Sequence, residues 1–308
     1  MKTIPDHSFE PTSDPDIFRV IDLDENWNFY WKKSTDQYAP AVNFVLKSFN
    51  KGPRFMNWLL EQSKEEAERI LVSSGDRGTR VHMAVRELLE GHEVKIDQQY
   101  PSDLQKGRFE KLTVKEWNCI RGFANFIEMY KPVVHAQEVT VFSPEYAGTI
   151  DFLGTIEVPK IGRIPVLLDH KTSSGIWNEY KLQVAAYFVL WNAKQDPFMA
   201  DYTAIARYGT KHKAKFELQI FDTKQTIENF GRFHDVLNLH KFSNLGYDKP
   251  EIEDLPASFK FEIPKWVPEN KGITMKSAKK GKRKVVRGRR LVIKNKKNVG
   301  KTNERGSN

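Results

Sequence analysis

Residues 165–171 read Pro-Val-Leu-Leu-Asp-His-Lys, and no other stretch of this 308-residue chain limits the fold as tightly. Val166, Leu167 and Leu168 form an unbroken aliphatic run. Successive side chains of a strand point to opposite faces, so such a run suits a strand covered on both sides. Asp169 and Lys171 follow it, two residues apart and therefore on one face. Taking two opposite charges out of water costs desolvation that their attraction barely repays. Placing them at the end of a core strand therefore marks a site. A second apolar run, Gly148-Thr149-Ile150-Asp151-Phe152, carries one acid in its middle. A helical stretch over 176–192 then places Gln183 and Tyr187 four apart, on one face.

Two strand-borne carboxylates beside a lysine suit metal-assisted phosphodiester hydrolysis. Mg²⁺ takes hard oxygen ligands and keeps several waters, so two carboxylates and a backbone carbonyl suffice to hold it. A bound metal lowers the pKa of water and shields charge building on a phosphate. Asp151 and Asp169 are the expected ligands, the His170 carbonyl a third, and Lys171 the cation that positions the water. Gln183 and Tyr187 are expected to face the site and touch substrate phosphate.

In order, Gly148-Thr149-Ile150-Asp151, Asp169-His170-Lys171-Thr172 and Gln183-Val184-Ala185-Ala186-Tyr187 resemble the RecB-type branch of the PD-(D/E)XK nucleases. That branch adds a histidine on an upstream helix. Gly78-Thr79-Arg80-Val81-His82, leading into residues 83–91, is similar to that element. The resemblance runs from about residue 75 to residue 187, with the first acid in GTID rather than in a literal Pro-Asp. The opening of the chain, a hairpin before helices that end near Trp58, is similar to the phage and mitochondrial exonucleases of the same branch. The resemblance implies a restriction-endonuclease-like core, a mixed central sheet flanked by helices. It implies Mg²⁺ or Mn²⁺ held by His82, Asp151, Asp169 and the His170 carbonyl, with Lys171 positioning water. Gln183 and Tyr187 would orient the scissile strand. It further implies an exonuclease, phage-type, acting on single- or double-stranded DNA ends in replication, recombination or repair. A single-strand-binding or recombination protein would be its partner, and the host cytoplasm its place if phage-encoded. Two alternatives stay open: a structure-specific endonuclease or one acting on RNA, and a non-catalytic DNA-binding protein with a nuclease-like fold.

Cys119 is the only cysteine, which excludes a disulfide framework and any four-cysteine iron–sulfur cluster within this chain. The first residues contain no apolar signal region and no run approaches membrane-spanning length, so a soluble intracellular protein with no membrane partner is expected. The net charge of +9 is uneven. Residues 271–308 carry 15 Lys and Arg against one acid, a net +14, which leaves −5 on the other 270 residues. Such a block is expected to be disordered alone and to bind polyanions by counterion release. Lys279, Lys280, Lys282, Arg283, Lys284, Arg287, Arg289 and Arg290 are its candidate nucleic-acid contacts. The short Leu291-Val292-Ile293 run would serve equally as an edge strand, and Lys279 to Arg290 as an import-like patch.

Read in order, residues 1–62 form a lead-in (loose to about residue 16), a hairpin over 17–33 and two helices over 42–49 and 55–60. The core spans 63–243. Ser63 caps a helix that Gly75-Asp76-Arg77-Gly78 interrupts, and a second helix carries His82 and Arg86 to Leu89. Residues 92–112 read as loop. Residues 113–130 read as an amphipathic helix with Trp117, Ile120, Phe123 and Ile127 on one side. A strand over 133–142 contains Glu138, which either reaches the metal or braces its ligands. A hairpin over 147–158, strands over 163–171, 202–208 and 215–221, and a closing helix over 223–240 complete the core. Arg207, Tyr208, Lys211, His212 and Lys213 read as a basic turn able to grip a nucleic-acid backbone, or as an ordinary solvated hairpin. His170 points away from Asp169 and is expected to pack. Residues 244–270 read as irregular. Helices on both sides of the strands in sequence predict an α/β sandwich.

Overall fold

Five strands, β7 (Val133–Phe142), β8 (Ala147–Val158), β9 (Gly162–Lys171), β10 (Tyr202–Tyr208) and β11 (Phe216–Phe221), build the central sheet in the order β11-β10-β9-β8-β7. They belong to a computed structural model that describes residues 7–22, 27–102 and 108–244. The sheet is mixed: β9 and β10 pair in parallel, and the other neighbours are antiparallel. The Pro-Val-Leu-Leu run lies in β9, the middle strand. Val166, Leu167 and Leu168 are fully buried. Each contributes about 1.5–3 kcal/mol by leaving water, which helps hold the charged end of the strand in place.

The alternation along β9 divides the core. Val166 and Leu168 pack with Val81, Ala84 and Val85 of α3 (Lys64–Leu89) and with Ile120, Phe123 and Phe126 of α4 (Val114–Tyr130). Leu167 packs on the other face with α5 (Asn178–Ala193) and α6 (Thr223–Ser243), through Val184, Trp191, Phe233 and Leu237. The sheet is thus covered on both faces, an α/β fold. α5 is the crossover that the parallel β9–β10 pair requires. Thr113 with Glu116, and Asp222 with Gln225, form capping boxes at the starts of α4 and α6. α4 ends on Lys131 in the left-handed region, just before Pro132.

The remaining elements stand on this core. β1 (His7–Pro11), β2 (Ile17–Asp22), β3 (Trp27–Lys32) and β4 (Gln37–Pro40) form an antiparallel sheet in chain order. Its inner face meets β8 through Tyr30, whose hydroxyl lies 3.0 Å from Thr149 Oγ1. α1 (Val42–Val45), a 3-10 turn over Leu46–Ser48 and α2 (Pro53–Glu61) follow. Trp58 of α2 is half-buried against Phe55. β5 (Gln99–Pro101) pairs with β6 (Phe109–Lys111).

Four sequence expectations change. The lead-in contains strand β1. The helix over 64–89 runs through Gly75 and Gly78 without a break, because Asp76 and Arg80 bond across the junction. The stretch read as loop holds the β5–β6 hairpin. Residues 147–158 are one 12-residue strand paired on both sides, not a hairpin. None of the described helices is long and apolar enough to cross a membrane. The irregular stretch beyond Asn244 and the basic segment 271–308, with its eight candidate contacts, lie outside the described residues.

Candidate metal centre

Asp151 and Asp169 come from neighbouring antiparallel strands, and the backbone links them. The His170 amide donates to Asp151 Oδ2 at 2.8 Å. Lys171 Nζ lies 2.7 Å from Asp169 Oδ1, to which it donates, and 2.6 Å from Oδ2. Oδ2 is buried and keeps no hydrogen bond of its own. The Lys171 ammonium also sits 4.9 Å above the Tyr180 ring. His170 points to the opposite face as its position predicts. Its Nδ1 is 2.9 Å from the Tyr208 hydroxyl, and Phe123 and Phe152 surround the ring.

Helix α3 brings His82 over the end of the sheet. His82 Nε2 lies 2.9 Å from the His170 carbonyl oxygen, and Nδ1 lies 3.6 Å from Asp151 Oδ2. Strand β7 adds Glu138. Gln137 pairs with Phe152 and Val139 with Ile150, so the register sets Glu138 opposite Asp151. Like charges opposed across strands are destabilising. Glu138 also takes φ +52°, a left-handed conformation that non-glycine residues rarely adopt. Strain and repulsion thus meet at one residue, in a strand that otherwise pairs regularly there. Ligand atoms of His82, Glu138 and Asp151 lie within 4.8 Å of one another.

The titration behaviour follows from this crowding. Burial, reinforced by Asp151, pushes Glu138 up to about 7. Burial pushes Asp169 up to about 6 against the pull of Lys171. Burial also raises Asp151, but His82, Lys171 and the His170 amide outweigh it and hold the carboxyl below its ordinary value. His170 falls to about 3 because burial penalises its cation, so the ring is neutral. Lys171 is raised: burial opposes its charge, and Asp169 and Asp151 overcome that. It is a fixed cation near neutral pH, not a base.

The donor set fits a hard divalent ion. Two carboxylates, one imidazole and one carbonyl are a mixed O/N set that suits Mn²⁺ as well as Mg²⁺.

The structure thus brings together His82, Asp151, the His170 carbonyl, Asp169 and Lys171, and it sets Glu138, which the sequence left open between ligand and brace, beside His82 and Asp151. Asp169 stands outside the 4.8 Å group and is engaged by Lys171. Gln183 and Tyr187 differ more from expectation. Both are buried, and Gln183 Nε2 donates to the Tyr187 hydroxyl at 3.2 Å. Tyr187 packs on Gly148 so closely that a Cβ there would stand 2.3 Å from its ring. They fix α5 against the strand that carries Asp151, and burial removes them from direct contact with a substrate phosphate. The basic-turn reading also fails for Arg207 and Tyr208. Arg207 bonds Glu217 and the Ser174 carbonyl, and Tyr208 is buried beneath His170. Tyr180 was not anticipated. Its spacing of three residues before Gln183, on the same helix face, was the available signal.

No protein-family model matches the chain, and no curated protein matches it.

Proposed function

We propose that the protein is a Mg²⁺- or Mn²⁺-dependent nuclease with a restriction-endonuclease-like core, acting on DNA as an exonuclease. The observation that carries this reading is the approach of His82, Glu138 and Asp151 at the sheet end that also presents Asp169 and Lys171. DNA as substrate, action at ends and roles in replication, recombination or repair rest on the motif resemblance.

A bound divalent ion would supply a water of lowered pKa and neutralise charge on the phosphate. His82, Glu138, Asp151 and the His170 carbonyl would hold it, with Asp169 beside them. Lys171, kept charged by Asp169 and backed by Tyr180, orients the attacking water and meets the negative charge that grows on the phosphate. Neutral His170, anchored by Tyr208, keeps its carbonyl turned toward His82. Tyr187 and Gln183 hold the back wall.

The test is cleavage of end-labelled linear and circular DNA, single- and double-stranded, in Mg²⁺, Mn²⁺ or EDTA. Metal-dependent shortening of linear DNA with circles left intact is the expected result. Cutting of circles would make the protein an endonuclease. Absence of cutting on DNA and RNA alike would overturn the reading.

A further inference from the structure

A cavity of about 230 Å³ lies where the first turn of α5 meets the second and third turns of α6. Phe49 and Leu182 supply its apolar wall. Its polar wall is Asn178 and Lys181 of α5 with Asn229 and Arg232 of α6. No Asp or Glu lines it, so Lys181 and Arg232 give the lining a charge of +2. Among the described residues neither cation has a carboxylate within ion-pair distance. Glu179, also in the first turn of α5, is engaged by Lys51 at 3.8 Å and lies outside the lining.

The hydrogen bonds of this wall run one way. Lys181 Nζ donates to Asn178 Oδ1 at 3.2 Å, and Arg232 Nη1 donates to Asn229 Oδ1 at 2.7 Å. Ammonium and guanidinium groups carry no acceptor, so each amide turns its oxygen to the cation and keeps its nitrogen to donate. Neither amide nitrogen has a partner among the described residues. Asn229 is only 7% exposed, yet its nitrogen is not one of the sealed, partnerless atoms of the core. The little surface it keeps opens on this cavity. α5 also begins at Trp177 without a side-chain cap, so the orphan amides and positive end of a 16-residue helix lie at the same wall. The cavity thus presents two cations, two amide donors and a helix N-terminus. A lining of donors suits a ligand made of acceptors.

We propose that this cavity is a phosphate site, in which Lys181, Arg232 and the amide nitrogens of Asn178 and Asn229 donate to the oxygens of one phosphate group. A phosphate offers clustered acceptor oxygens and negative charge to match the lining. Lys181 follows Tyr180, whose ring lies 4.9 Å from the Lys171 ammonium, so the site stands one step round α5 from the metal centre. The source of the phosphate rests on the nuclease reading: it belongs to the substrate strand, further along than the phosphate being cut. Contacts to phosphate position a strand without reading its bases, so the site serves DNA of any sequence. A free nucleotide or inorganic phosphate shares this chemistry, and the test separates the sources.

The test uses the full-length protein in EDTA and compares wild type with Lys181→Gln, Arg232→Gln and the double variant. Lys224→Gln, on the same helix as Arg232 but outside the lining, is the control for net charge. Melting temperatures check that each variant is folded. Inorganic phosphate, titrated at constant ionic strength and followed by ³¹P NMR, should bind wild type saturably. Each single variant should weaken it about tenfold, the loss of one charge-assisted bond, and Lys224→Gln should leave it unchanged. Equal phosphate affinity in wild type and double variant, or an equal loss in Lys224→Gln, overturns the proposal. A second arm measures binding of fluorescent octathymidylate to the same proteins. The double variant should bind it at least about tenfold more weakly. A neutral methylphosphonate moved along the strand should reach one position that costs wild type affinity and costs the double variant none. Lost phosphate binding with unchanged oligonucleotide affinity would contradict the strand as source and assign the site to a free nucleotide or phosphate. Neither arm needs cleavage, so a protein that cuts nothing ends the nuclease reading while the first arm still decides the phosphate site.

Discussion

Arg80 and His82 lie two residues apart on helix α3 and serve two charged clusters of different construction. Around Arg80 the donors and acceptors match. Nη1 bonds Asp76 and reaches Glu110 at 3.1 Å, and Nε and Nη2 reach Glu116 at 2.8 and 2.7 Å. The spare oxygens of Asp76 and Glu116 accept from Ser102 and the Thr113 amide. Around His82, Glu138 and Asp151 face each other across strands, Asp169 is held by Lys171, and two carboxyls are pushed toward neutrality. Buried charge alone therefore does not mark a functional site. The first cluster ties α3 and α4 to the β5–β6 hairpin with its charges paired, whereas the second leaves like charges opposed.

The largest effect should come from the second cluster. Asp151→Asn and Asp169→Asn each keep shape and remove a charge. Each should lower single-turnover cleavage at least about 1,000-fold while the protein stays folded. Near-wild-type cutting by either would remove the difference between the clusters. The first cluster should respond in the reverse sense. Arg80→Met strands Asp76 and Glu116 in the interior and should cost about 3–5 kcal/mol in denaturant unfolding. Its cleavage rate should be normal under conditions where it is folded. A variant that lost activity but not stability would place Arg80 in the chemistry.

A smaller effect concerns pH. Glu138 and Asp169 have folded values raised above their ordinary ones, so their contribution to stability is present at low pH and lost as pH rises through the folded values. Metal-free protein should therefore lose thermal stability from about pH 5 to about pH 8, at about 2–4 °C per kcal/mol for a domain of this size. Glu138→Gln should flatten that slope. Mg²⁺ should oppose it, since its ligands must be deprotonated. A slope unchanged by Glu138→Gln would mean Glu138 is not the strained member. Smallest of all should be the effect of the basic segment on either cluster. A chain ending at Glu269 should keep both the melting temperature and the single-turnover rate, and lose only affinity and part of its salt dependence. A collapsed rate would bring the segment into the active channel.

How much of this was legible depended on distance along the chain. Asp169, Lys171 and the opposite face of His170 follow from strand alternation, and β9 shows that pattern. His82 was legible only through the resemblance of Gly78–His82 to the upstream helix of the RecB-type branch. Glu138 was visible only as an acid on a strand, because its role depends on the β7–β8 register and on one left-handed residue. Gln183 and Tyr187 were found on one face as expected. Their burial came from Gly148 on a different strand, which no local pattern reveals. Tyr208 reaches His170 only because β10 pairs in parallel with β9. The helix through Gly75 and Gly78 shows tertiary bonds of Asp76 and Arg80 overriding weak local propensity.

The most direct test of the metal centre is calorimetric titration of Mn²⁺ into the full-length protein, its Glu138→Gln variant and its His82→Ala variant. Imidazole favours Mn²⁺ over Mg²⁺ as a partner, so this ion reads both ligands. The expected result is saturable binding to wild type that weakens about tenfold or more in each variant. Equal Mn²⁺ affinity in all three proteins would contradict the assignment of His82 and Glu138 as ligands and, with it, the difference drawn between the two clusters on α3.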